Sequence, residues 1–199
     1  MGRNKTVDDE QLIGVARQVF RTRGHGAGTR DIAQAAGISQ AVLYQRFGSK
    51  EELFLRAMTP ELPDVEALLG AYPPRSARAD VRRIAERLVE LFVSMMPTLL
   101  HVLAHPDLRP SEMHKWHAQL PFAPIAHGLA ARFRRMRADG LIAAIDAEAA
   151  ASALIAVAHS VALLAVLMNE EHEAQRSARL RAMVDVVWSG LAPAAPVRG

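Results

Sequence analysis

Cysteine is absent from the 199-residue chain. That excludes a disulfide framework, a thiolate metal site and a cysteine nucleophile. Aromatic residues make up only 5% of the sequence. Alternating runs of β-branched residues are almost missing, so the pattern is helical nearly throughout. The opening residues, MGRNKTVDDE, hold no apolar segment of the kind a secretory signal needs, which makes a cytoplasmic protein the expectation. No Gly-rich phosphate loop, no nucleophile with a plausible base and no metal motif is seen, so neither an enzyme nor a cofactor is expected.

Charge of one sign is scarce in most of the chain and concentrated in a small part of it. Residues 1–57 hold nine Lys/Arg against six Asp/Glu, while the remaining residues hold fifteen of each. The whole net charge of +3 therefore sits in the N-terminal quarter. A basic module on a neutral body suits a polyanion, although solvated surface charge alone would give the same count.

The first helix is expected from about Asp8 to Arg23, with Leu12, Ala16, Val19 and Phe20 on one face and acidic residues in its first turn, where the helix dipole favours them. Gly24 and Gly26 stop it. The stretch Thr29 to Leu53, TRDIAQAAGISQAVLYQRFGSKEEL, then holds two short helices around a glycine. Thr29 to Ala36 forms the first, capped by Thr29 or Gly28. Gly37 supplies the sharp turn, and Ser39 caps a second helix from Gln40 to Phe47. Ala33 must be small where the helices cross, with Ile38 and Leu43 buried between them. This is the spacing of a helix-turn-helix.

In such a motif the second helix enters the major groove. Gln40 can pair with adenine or with phosphate, Ala41 and Val42 can touch thymine methyl groups, and Tyr44, Arg46 and Lys50 can reach phosphates. Ser49-Lys50-Glu51-Glu52 reads as a capping box, with Glu52 reaching back to the start of the next helix.

Residues 8–57 resemble the DNA-binding region of the TetR family of bacterial transcriptional regulators, through TRDIAQAAGISQAVLYQRFGSKEELF and the amphipathic helix before it. The resemblance implies that Thr29 holds a phosphate, that Arg30 reaches a base or phosphate, that Gln40, Ala41, Val42 and Tyr44 are recognition-helix contacts, and that Lys50 holds a phosphate. Gly28 departs from the family's common threonine, and Arg46 from its common His or Tyr. The arm Arg3-Asn4-Lys5 could enter a minor groove or be a frayed terminus.

After Met58 the composition changes. A proline-rich connector with a helical piece around Val65 to Gly70 leads into a helix from Ser76 to Met95, which Pro97 should bend or end. The stretch HPDLRPSEMHKWHAQLPFAP is expected to form short helices and loops. A helix follows from Phe122 to Ala138, with Ile125, Leu129, Phe133 and Met136 inward and Arg132, Arg135 and Asp139 outward, stopped by Gly140. Two more helices are expected from Ala147 to Asn169 and from Glu173 to Leu191, and the tail APAAPVRG is expected to be disordered.

The helix from Ala147 is apolar nearly all round. Glu148, Ser152, His159 and Ser160, the many alanines and the lack of basic flanks argue against a membrane span. Burial against its own core on one side and a second subunit on the other fits better. Ala149, Ala153 and Ala156, with Ala158, Ala162 and Ala165, would allow close helix approach.

The expected architecture is all-α: a three-helix helix-turn-helix domain over residues 1–57 and a helical domain over residues 58–199. The family resemblance implies that the second domain dimerises through its last two helices and binds a small molecule that releases DNA. Candidate lining residues are Leu91, Met95, Leu99, Leu103, Trp116, Phe122, His127, Phe133 and His159, each of which ordinary core packing would also explain. His101/His105 and His114/His117 have chelating spacings, but without cysteine and among prolines they read better as a pH-sensitive or surface cluster. The expected function is a homodimeric repressor of a palindromic operator, released by an apolar or amphipathic effector. An activator, or an accessory DNA-binding protein acting through a protein partner, would use the same reader.

Overall fold

A computed structural model describes residues 8–23, 26–61, 63–104, 109–168 and 173–192. The arm Arg3-Asn4-Lys5, the stop at Gly24, His105 and the tail from Pro193 lie outside the described residues. Among those described, every regular element is a helix: α1 (Asp9–Arg23), α2 (Thr29–Ala36), α3 (Gln40–Phe47), α4 (Lys50–Met58), α5 (Val65–Leu69), α6 (Ala77–Leu103), α7 (Pro110–His117), α8 (Phe122–Ala138), α9 (Ala147–Leu167) and α10 (Glu173–Leu191).

Described residues within 1–60 and 98–120 form one compact unit, and those within 61–97 and 121–199 a second. The first break falls between residues 60 and 61. Residues 98–120, which composition places with the later part, group with the first unit.

In the first unit, Leu12, Ala16 and Phe20 recur every four residues along α1 and are fully buried. Phe20 meets Phe54 of α4 edge to face with ring centroids 5.0 Å apart. Burial of each such ring contributes about 1.5–3 kcal/mol. Arg17 adds a polar tie: its Nε donates to the carbonyl of Ala57 at 2.8 Å, satisfying an acceptor at the end of α4.

In the second unit, α8 buries Ile125, Leu129, Phe133 and Met136 as its periodicity requires. Arg132, expected to face outward, is instead 7% exposed. Its position explains this: it lies three residues after Leu129 and four before Met136, inside the apolar stripe. Its charge is matched by Asp80, also buried, whose Oδ2 accepts from Nε at 2.9 Å and from Nη2 at 2.8 Å. Arg132 Nη1 donates to the carbonyl of Gly70 at 2.9 Å and Nη2 to that of Ala71 at 2.8 Å. One guanidinium thus holds α6, α8 and the turn after α5. Tyr72 completes the joint, its ring 4.0 Å from the Arg135 guanidinium and its hydroxyl donating to Asp139 at 2.6 Å.

Pro97 does not end its helix, since α6 continues to Leu103. The proline is exposed, so water can take the carbonyl its missing N–H leaves free, while Met96 before it and Leu99 after it are buried.

In α9 the stripe Ala147, Ala151, Leu154, Ala158, Val161, Ala162 and Ala165 is buried, and the helix packs on α8 and α10. A stretch of mean hydropathy 2.2 within it, and its length, would suit a membrane span by those criteria alone. Of the two alanine faces, Ala158, Ala162 and Ala165 are buried, whereas Ala149, Ala153 and Ala156 are exposed.

Candidate nucleic-acid interface

Two tight turns fix the reading surface. After α2 the chain reverses at Gly37, whose φ of 68° and ψ of 30° are left-handed and cheap for glycine. The Ile38 N–H donates to the Ala33 carbonyl at 3.0 Å, closing the helix end. The chain re-enters a helix at Ser39, whose Oγ accepts the Val42 N–H at 3.4 Å. Ala33, Leu43 and Phe47 are buried. These contacts leave Gln40, Ala41, Tyr44 and Gln45 exposed on α3, with Val42 half-buried beside them. Gln45 was not singled out from sequence; its place four residues after Ala41 is the signal that would have found it.

The departure at Gly28 is compensated within α2. Gly28 has no side chain to cap with, and its N–H donates to Asp31 Oδ2 at 3.0 Å. Arg23 Nη1 lies 2.6 Å from Asp31 Oδ1. The Gly28 N–H and then Arg23 hold the Asp31 carboxyl below its ordinary value.

Thr29, the first residue of α2, is 8% exposed. Its Oγ1 accepts from Gln40 Nε2 at 2.9 Å and lies 3.2 Å from the Tyr44 hydroxyl. Gln40 and Tyr44 thus meet at one atom supplied by the other helix. Arg30 is exposed on α2. Arg46 Nη1 sits 3.2 Å from Asp9 Oδ1. Lys50 begins α4 and is half-buried. Ser49 caps α4 by accepting the Glu52 N–H at 3.0 Å, but Glu52 does not complete the expected box: its carboxylate pairs with Arg56 at 3.1 Å, and the Ser49 N–H donates to Phe47.

The candidate effector residues are divided. Leu99, Leu103 and Trp116 belong to the first unit, and Leu91, Met95, Phe122, His127, Phe133 and His159 to the second. Met95, Leu99, Trp116 and Phe133 are buried, Leu103 and His127 are exposed, and Leu91 is half-buried. Phe122 and His159 come together with Phe92, their ring centroids 5.5–5.8 Å apart. Burial holds the His159 imidazole below its ordinary value. Trp116 lines a cleft of about 610 Å³ in the first unit with Ser49, Glu52, Leu55, Arg56, Glu112, Lys115 and Gln119. Its indole N–H meets no acceptor among the described residues. His101 packs its ring 5.9 Å from that of Phe54. Among the described residues no three His, Cys, Asp or Glu side chains form a group suited to a metal.

Residues 12–57 match the family described as bacterial regulatory proteins, tetR family. The HTH-type transcriptional activator FasR of Mycolicibacterium smegmatis is 51% identical over 83 residues, 41% of this chain and 37% of that protein. The chain therefore matches little more than a third of that relative's length. The flavonoid-responsive regulator FrrA superposes with a TM-score of 0.67 at 25% identity, covering 92% of this chain and 96% of its own. A solved Mesorhizobium loti protein assigned to the TetR family superposes with a TM-score of 0.77 at 21% identity, over 96% of this chain and all of its own.

Proposed function

We propose that this chain, a member of the TetR family of DNA-binding transcriptional regulators, is a homodimeric repressor that leaves a palindromic operator when a small apolar or amphipathic ligand fills its body. The observation that carries the DNA-binding half is the α3 surface, where Gln40, Ala41 and Tyr44 stand clear of the core on a helix fixed by two capped turns. Residues 1–57 read the DNA, with Thr29, Arg30, Arg46 and Lys50 around the recognition face and α3 in the major groove. Residues 58–199 dimerise and bind the effector. Two-fold pairing through α9 and α10 is supported by their open apolar surface. Leu167, Met168 and Val186 are 60%, 68% and 72% exposed, beside the exposed Ala153 and Ala156.

The effector reading is supported by a relative that responds to a flavonoid and by the half-buried His159 among Phe92 and Phe122. A ligand there releases DNA only if it binds more tightly to the conformation that does not fit the operator. Activation is the second reading, favoured by the name of the FasR relative.

Selection of bound sequences from a random duplex library, with the purified full chain and no added ligand, tests this directly. An inverted repeat with half-sites about one helical turn apart is the expected result. A folded dimer that enriches no sequence would overturn the ligand-released repressor. Placing the selected site upstream or downstream of a reporter start then separates activation from repression.

A further inference from the structure

We infer that Thr29 is a positioning residue that fixes how Gln40 reads a base and couples that reading to a phosphate contact made by Tyr44. The inference rests on the DNA-binding reading above.

Gln40 and Tyr44 are four residues apart on α3, so their side chains rise from one face, and both are exposed. An exposed glutamine samples many orientations. This one does not stand alone, because Thr29 reaches it from α2 with a side chain held by burial. Gln40 Nε2 donates to Thr29 Oγ1 at 2.9 Å, and the Tyr44 hydroxyl lies 3.2 Å from the same oxygen.

Proton counting then limits the arrangements. A threonine hydroxyl has one proton, a tyrosine hydroxyl has one, and a phosphate oxygen beside them can only accept. When Tyr44 gives its proton to a phosphate, its oxygen accepts from Thr29; when Tyr44 gives it to Thr29, the Thr29 proton is the one left for the phosphate. In both arrangements Thr29 Oγ1 accepts from Gln40 and is shared with Tyr44.

Two consequences follow for recognition. One amide hydrogen of Gln40 is committed to Thr29, which fixes the amide plane and leaves the second hydrogen and Oε1 for the groove. Such a pair suits adenine, whose N7 accepts and whose N6 amino group donates there. The single Thr29 oxygen serves both Gln40 and Tyr44. Its removal therefore acts through its two neighbours. The helix cap does not depend on it, since Gly28 and Asp31 supply that bond.

The test compares the wild type, Thr29→Val, Thr29→Ser, Gln40→Ala and the double variant Thr29→Val/Gln40→Ala on the selected operator. Affinity is measured for that operator and for duplexes changed at each position in turn. The wild type should prefer an A·T pair at the position that Gln40→Ala relaxes. Thr29→Val should lower the preference there by about tenfold, within the range of one specific side-chain–base contact, and leave other positions unchanged. Thr29→Ser should restore it, and the double variant should match Gln40→Ala alone. Equal weakening on every duplex, failure of serine to rescue, or a preference for a G·C pair at that position overturns the inference.

Where Thr29→Val does not fold, a cycle of Gln40→Ala and Tyr44→Phe carries the test. A double loss smaller than the product of the single losses supports the chain, and a simple product overturns it. A wild type that selects no sequence is a different outcome, and removes the DNA-reading proposal itself.

Discussion

Two arginines show how differently the two units use charge. Arg46 of α3 meets Asp9 at 3.2 Å on the surface, where water and salt screen the attraction and a pair contributes about 0–1 kcal/mol. Arg132 of α8 is buried with Asp80, and its remaining donors go to the carbonyls of Gly70 and Ala71. The charge of Arg46 meets a partner that is well exposed, whereas that of Arg132 is a structural part whose removal costs the bonds around it. The lesson concerns risk: a surface pair such as Arg46–Asp9 tolerates change, while the buried cluster at Arg132 does not.

The sharpest way to break this contrast is Arg132→Met. It leaves buried Asp80 with Arg83 alone, whose Nη2 meets Oδ1 at 2.5 Å, and should cost about 3 kcal/mol in urea unfolding of the full chain. Adding Asp80→Leu should recover part of that loss, because the ion then left behind, Arg83, is about a third exposed to water. A single substitution costing no more than a surface pair would erase the distinction between the units.

Gly37→Ala tests the turn. An added Cβ meets nothing within 4 Å, so the whole effect is the left-handed backbone, about 1–2 kcal/mol in thermal melting. Asp9→Asn removes the surface partner of Arg46 and should move stability by less than about 1 kcal/mol. Lys50→Ala should make the dependence of operator affinity on salt shallower by about one phosphate contact.

The smallest effect concerns pH. Burial lowers the His159 pKa in the folded state, so on acidification the unfolded chain takes up that proton first. Stability from this residue is full above its ordinary value of 6.5 and declines as pH falls through it. His159→Phe, which keeps an aromatic ring beside Phe92 and Phe122, should flatten that part of the stability-versus-pH curve.

The same contrast explains what could be read from sequence. In the head, short-range rules decide: Gly37 needs its left-handed turn, Ser39 and Ser49 cap the helices that follow them, and Leu12, Ala16 and Phe20 keep their spacing. Each of these signals lies within a few residues of its effect. Arg132 was misread because its burial depends on Asp80, fifty-two residues away, and nothing local announces a partner. The helix end expected near Pro97 lies further on, at Leu103, because a local penalty was outweighed by packing on either side of it. Gln40 was expected to face outward alone. Its bond to Thr29 crosses from one helix to the next, beyond what spacing along α3 can reveal.

Gly128 carries a last consequence. A Cβ built there would sit 2.6 Å from Val65 Cγ1 and 3.4 Å from Leu69 Cδ1. The five residues of α5 are too few to hold a helix by their own hydrogen bonds, so the segment takes its shape from a seat that exists because one methyl group is missing. Its far end delivers the Gly70 and Ala71 carbonyls to Arg132. The seat, the short helix and the buried charge therefore form a single inheritance. A lineage that drifted to alanine at position 128 would first lose the fit of α5 and then the wrapping of the ion pair, so this glycine should be slower to change than the surface residues around it.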